Sequence, residues 1–304
     1  MKLRFLAPFT VLSLLILNIG HAQFAEYHIS NFRLNPVRFA PELAGADGCK
    51  TINSSIYTRS NSIDQRTTAA SIGTQGFLKP LHSGIYFNYD LLTSNRNTHT
   101  LNAGISPRFE IKENLHILSN LSFGLRNATI STAYTNEFGQ NTYAVEKLTG
   151  LSWGIGAGFV RENFFATTHH SFDGMYKKAS DGNIGTIVTT STAIGNTNKL
   201  TDDFSLAWTI RNTIYWNLRT SRIYDFAAAA QYKTLSAQLA YSTSTKFSGA
   251  LALELAERVK IMGGLSVDPF ETFDKKLGYS FLSLNLFIAK SNPNHKIYDF
   301  ILLF

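Results

Sequence analysis

Side chains that alternate between apolar and polar run through most of this chain, and nothing constrains its fold more. Leu101, Ala103, Ile105, Phe109 and Ile111 alternate with Asn102, Gly104, Ser106, Arg108 and Glu110. After Lys112-Glu113-Asn114, the residues Leu115, Ile117, Leu121, Phe123 and Leu125 alternate with His116, Asn120, Ser122, Gly124 and Arg126. A strand sends successive side chains to opposite faces, so each segment has one apolar and one polar face, and the pair reads as a hairpin. The same period recurs around Ile85–Leu91, Leu151–Phe159, Phe204–Ile210, Leu235–Tyr241, Phe247–Leu255, Val259–Val267 and Leu282–Ile288. Fainter versions lie at Ile52–Arg59, Thr67–Gln75, Phe164–Phe172, Asn212–Thr220 and Ile223–Tyr232.

These segments predict about fourteen strands, within a range of about 12–16, the even number that a closed single-chain barrel requires. The connections sort by length. Lys112–Asn114, Arg161–Asn163 and the turns at Lys233 and Glu257 are short and fall at one end. The stretches 92–98, 127–147, 173–200 and 268–276 are longer and fall at the other, with room for a further pair of strands within 127–147 and 173–200. That sorting is expected of an outer-membrane barrel with both termini in the periplasm, and a sandwich has no reason to show it.

The bulk properties agree. Charged residues make up 16% of the chain, below the roughly 25% of soluble globular proteins. Beyond the first two dozen residues, no apolar run is longer than Phe226–Ala230 or Phe300–Phe304, so transmembrane helices are excluded. Residues 1–22 have the layout of a cleaved secretory signal: Lys2 and Arg4, an apolar stretch from Phe5 to Ile19, then Gly20-His21-Ala22. Cys49 stands alone, which leaves no internal disulfide. Without Lys2 and Arg4 the chain keeps 26 basic and 21 acidic residues. No basic run or stacked aromatic motif points to nucleic acid. Outer-membrane lipid is the expected surrounding.

The organisation that follows is a signal over 1–22, a non-alternating segment over 23–49, a barrel over 50–289, and a tail over 290–304. The tail alternates at Tyr298, Phe300, Leu302 and Phe304 and competes for the closing position. Leu277–Ala289 is preferred as the closing strand, because Asn292-Pro293 interrupts the run. The segment 23–49 is read as a loop before the first strand, a plug inside the lumen, or a lining of the periplasmic mouth. Gly154, Gly156 and Gly158 form a row on the lumen face of one strand. They are read as barrel curvature, with close approach of a plug as the alternative.

Candidate chemistry is sparse. His169-His170 beside Asp173 is the best apparent metal or acid–base cluster, but adjacent histidines in a strand point to opposite faces and cannot share an ion. No Gly-x-Ser-x-Gly elbow accompanies the many serines, and no phosphate-binding or nucleotide motif occurs. The reading is a non-enzymatic chain with no catalytic residue, metal or cofactor.

The opening of the mature chain, Gln23-Phe24-Ala25-Glu26-Tyr27, then Leu34-Asn35-Pro36, Ala44-Gly45 and Cys49, resembles that of the PorP/SprF family of Bacteroidetes. Leu81-His82-Ser83-Gly84-Ile85, Asn163-Phe164-Phe165-Ala166 with His169-His170, and Leu265-Ser266-Val267-Asp268 resemble further family segments. The chain departs from the pattern in lacking Gly-Ser-His-Glu before its last strand and in running on to Phe304. The resemblance implies an outer-membrane barrel associated with type IX secretion, serving gliding motility or surface attachment. Its partner would be a secreted adhesin or another component of that system. Gln23, Phe24, Tyr27, Leu34, Asn35 and Pro36 would be the partner-binding candidates, with the stretches 127–147 and 173–200 beside them. The alternative is a porin or channel for small or hydrophobic solutes. An outer-membrane hydrolase using His169 or His170 ranks last.

Overall fold

In the computed structural model, the described residues are 37, 40–48, 50–61, 65–93, 96–135, 141–177, 183–216, 221–243, 246–256, 259–267 and 277–289. They form fourteen antiparallel strands. In chain order these are β1 (Lys50–Asn61), β2 (Gln65–Leu78), β3 (Ser83–Thr93), β4 (Arg96–Lys112), β5 (Leu115–Thr135), β6 (Asn141–Arg161) and β7 (Phe164–Lys177). The second half holds β8 (Asn183–Lys199), β9 (Phe204–Tyr215), β10 (Ser221–Tyr232), β11 (Leu235–Ser242), β12 (Lys246–Ala256), β13 (Val259–Val267) and β14 (Leu277–Ala289). Each pairs with its neighbours in sequence, and β14 pairs back onto β1 from Lys50↔Ala289 to Arg59↔Tyr279, closing the barrel. Leu277–Ala289 is thus the closing strand, while residues 290–304 lie outside the described residues.

The two faces separate as the alternation predicts. Ile56, Ile72, Phe87, Phe123, Leu151, Trp153, Leu239, Leu251 and Leu284 are exposed on the outer wall. Asn53, Gln75, Asn88, Asp90, Thr100, Asn120, Thr209 and Gln238 are buried on the inner one. An apolar exterior around a polar interior is stable only where the exterior meets hydrocarbon. Closure leaves no strand edge unpaired within the wall, which is what lets a sheet span a membrane. No helix among the described residues is long and apolar enough to cross one.

Tight turns gather at one end. Lys112↔Leu115, Arg161↔Phe164 and Tyr232↔Leu235 close hairpins over two residues. One residue of each, Asn114, Glu162 or Lys233, takes a left-handed backbone. At the same end β2 and β3 join through the 3-10 turn Lys79–Leu81, and β8 and β9 through a turn in which Leu200 and Thr201 N–H donate to the Phe204 carbonyl. β1 begins and β14 ends at this end too.

At the opposite end the expectations from sequence need correction. The stretch 127–147 is not a loop: β5 and β6 stay paired as far as Thr135↔Asn141. The stretch 173–200 contains β8, and 92–98 shrinks to a connection over 94–95. The strand expected over Asn212–Thr220 is the second half of β9, which runs without a break from Phe204 to Tyr215. The missed strand and the split strand offset each other in the count. β8 escaped the periodicity because its run Asn183–Lys199 is rich in threonine rather than in alternating apolar residues. Threonine is β-branched and favours strands without giving a hydrophobic signal.

A plugged lumen as the candidate functional site

The described residues before β1 lie inside the barrel. Ala40 to Asp47 are buried in the lumen, where the turn Pro41–Leu43 carries Glu42 and Leu43 into the wall. Proline at the start of this turn presets the backbone angle and has no N–H to satisfy. Ala40, Leu43 and Ala46 pack with Leu118, Val160, Phe165, Ala193, Ala227 and Ala240, lumen-facing residues drawn from β5 to β11. Val37 and Ala44 pack with Tyr86 on β3.

Polar contacts fix the segment in register. Ser106 Oγ on β4 donates to the Pro41 carbonyl at 2.6 Å, and Asn120 Nδ2 on β5 donates to the same oxygen at 3.4 Å. Asn120 Nδ2 also donates to Ser106 Oγ at 2.8 Å, so the two wall residues hold one another. Arg108 Nη2 donates to the Gly45 carbonyl at 2.6 Å, and its guanidinium lies 3.8 Å from the centre of the Phe77 ring. The Gly45 N–H donates to Gln75 Oε1 at 3.3 Å. On the far side, His169 Nδ1 on β7 meets Glu42 Oε1 at 2.8 Å, with the Glu42 side chain fully shielded. A carboxylate so buried is costly unless paired and hydrogen-bonded, and His169 supplies that partner.

Glycines make the room. A Cβ at Gly156 would collide with Glu42 Oε1, and one at Gly84 with the Ala44 carbonyl oxygen. Gly154 lies under the His169 ring, where a Cβ would sit 2.5 Å from Nε2. Gly45 has a left-handed backbone, φ 61°, and a Cβ there would sit 2.8 Å from the Gly76 carbonyl carbon. The reading of the Gly154–Gly158 row as simple curvature is therefore corrected. At Gly154 and Gly156 the missing side chains admit the plug and its histidine, and Gly158 admits the β7 backbone near Ala166.

The two histidines diverge as the strand geometry required. His169 turns into the lumen, and His170 turns outward to Thr190 Oγ1 at 2.8 Å. Among the described residues no three metal-ligating side chains gather. Gln23, Phe24, Tyr27, Leu34, Asn35 and Pro36 lie outside the described residues, as do Cys49 and Asp268. The sequence reading missed Glu42, Gln75, Ser106, Arg108 and Asn120 as plug contacts. The available signal was a proline-initiated, non-alternating segment opposite a strand with three lumen-facing glycines.

The fold is that of an outer-membrane β-barrel. The toluene transporter TbuX of Ralstonia pickettii superposes with a TM-score of 0.52 at 8% identity, over 83% of this chain and 93% of that one. The toluene transporter TodX of P. putida gives 0.48 at 10% identity, over 87% and 95%. The translocator domain of the autotransporter NalP from Neisseria meningitidis gives 0.42 at 11% identity, over 78% and 85%. At such identities the likeness is one of architecture alone. No family model matches the chain, and no curated protein does.

Proposed function

We propose that this chain is a bacterial outer-membrane barrel that works as a closed seat for a secreted protein, in the manner of the type IX secretion partners whose opening motif it resembles. In this reading it catalyses nothing. The observation that carries it is the plug: Pro41 to Gly45 is bonded to β2, β4, β5 and β7. A lumen occupied by its own chain in this way is suited to holding a partner at its rim, not to free diffusion. The short-turn end, where β1 begins and β14 ends, is the periplasmic one in this reading, and the β5–β6 end faces outward.

Two measurements test it. Deleting the gene should lower surface display of a large exported protein at least tenfold, and the wild-type chain should restore it. Unchanged display overturns the reading. Purified protein in a planar bilayer should show no steady conductance. The alternative is a channel for apolar solutes, the use for which the TbuX transporter of shared fold is described. Uptake of toluene lost on deletion and restored by the wild-type chain, with display unaffected, would establish that alternative.

A further inference from the structure

The β5–β6 hairpin outgrows the barrel. β4 pairs with β5 only as far as Arg96↔Ile130, and β7 pairs with β6 only as far as Lys177↔Leu148. β5 and β6 continue beyond both limits, from Ser131↔Val145 to Thr135↔Asn141. Ser131–Thr135 and Asn141–Lys147 thus form a two-stranded arm, and among the described residues neither outer edge pairs with another strand. A strand edge left unpaired carries a row of backbone N–H and C=O groups, a template for a further strand.

Proteins ordinarily blunt free edges with proline or with charge, lysine above all. This arm has neither along its length: Ser131-Thr-Ala-Tyr-Thr135 and Asn141-Thr-Tyr-Ala-Val145 contain no proline and no charged residue. Glu146 and Lys147 come only at its base. Threonine, tyrosine and valine, which suit an extended backbone, supply six of those ten positions. A sequence without these guards leaves an edge open to strand addition.

We propose that the β5–β6 arm captures an extended segment of the exported protein by adding it as a strand to one of these edges. The inference rests on the docking reading above and names the surface that performs it. Symmetry argues against a second copy as the occupant. Two copies in one membrane are related by an axis along the membrane normal, which keeps an outward-running strand running outward. Like edges then cannot meet antiparallel, and parallel pairing is the weaker arrangement. Joining the β5 edge of one copy to the β6 edge of the next would be antiparallel but head-to-tail, so it would need a ring or an open chain of barrels and could not make an isologous two-fold pair. A separate extended chain meets neither restriction.

The test uses the full-length protein in cells that produce it. One variant replaces Ser131–Glu146 by a short Gly-Ser turn, leaving the barrel up to Ile130 and Lys147. Two others, Ala133→Pro and Ala144→Pro, break the backbone pattern of the arm alone. Correct assembly is checked by the heat-dependent gel mobility of folded barrels. The expected result is normal barrel content, with display of the exported protein reduced at least tenfold in the shortened variant and in at least one proline variant. A photo-crosslinker at Tyr143 should join a defined extended stretch of that exported protein, and the same probe at Leu239 should not. Full display from assembled arm variants, where gene deletion abolishes it, overturns the arm and leaves the docking reading intact. Adducts only with a second copy, or none, also overturn it. Should the shortened variant fail to assemble, the proline variants and the crosslink decide. Normal display after gene deletion removes both readings.

Discussion

Two sectors of the lumen wall treat their contents differently. In β3 to β7 the wall gives up side chains at Gly84, Gly154 and Gly156 and sends out Ser106, Arg108, Asn120 and His169 to grip the plug. In β9 to β13 the inner face sets small residues, Ala207, Ala229, Ala250 and Ala252, around Met262 and among polar side chains such as Thr209, Ser236 and Gln238. Its most conspicuous polar contact, Arg211 Nε to Asp225 Oδ2 at 2.7 Å, joins neighbouring strands of the wall itself. The first sector is shaped to one partner, and the second is smooth. Glycine and alanine differ here by a single methyl group, yet that methyl decides whether a buried carboxylate can reach the wall.

The comparison can be broken by substitution. The largest effect is expected for Gly156→Val, which places atoms where Glu42 Oε1 now lies. Overpacking alone costs about 1–3 kcal/mol, and displacing Glu42 from His169 adds to it. A maleimide probe at Ala46→Cys should become reactive, in a background with Cys49 replaced by alanine, and steady bilayer conductance should appear. A protected probe and a silent bilayer would mean that the plug tolerates the methyls. Next comes His169→Ala, which leaves the Glu42 carboxylate buried without its ring partner. Leaving a buried carboxyl group without its hydrogen-bond partner costs about 1–3 kcal/mol, and more while the group stays charged. Urea unfolding from lipid vesicles should report it, and Glu42→Gln in the same chain should recover part of the loss by removing the stranded charge.

Arg108→Ala should cost less, about 1.5–3 kcal/mol, since it removes one charged hydrogen bond to the Gly45 carbonyl and the contact with Phe77. Its urea midpoint should fall between wild type and His169→Ala. The smallest effect belongs to the smooth sector. Ala229→Ser should stay within about 1 kcal/mol of wild type, with the Ala46→Cys probe still protected. A loss there as large as that of Gly156→Val would erase the distinction between the sectors.

Much of the barrel is legible in the amino-acid sequence. Alternation placed thirteen of the fourteen strands, and the turns at Asn114, Glu162 and Lys233 lie where short connections were expected. The errors have a common origin. Asn183–Lys199 and the outer halves of β5 and β6 are strands without strong apolar alternation, so the hydrophobic period left room for strands in 127–147 and 173–200 without placing them. The plug was one of three open readings for residues 23–49; residues 40–47 fill the lumen, and the glycine row of β6, read first as curvature, was the one signal for it.

The sequence by itself determined the two-faced wall, because alternation within a strand is a local property and survives whatever the rest of the chain does. It also set an even strand number and gathered the tight turns at one end. What fills the barrel was decided by tertiary structure. Glu42 meets His169 across 127 positions of sequence, and Gly45 meets Arg108 across 63. Such contacts arise only when β14 closes on β1 and brings the inner faces around a common axis. Until then Gly156 is merely a small residue in a strand; after closure it is the space that Glu42 occupies.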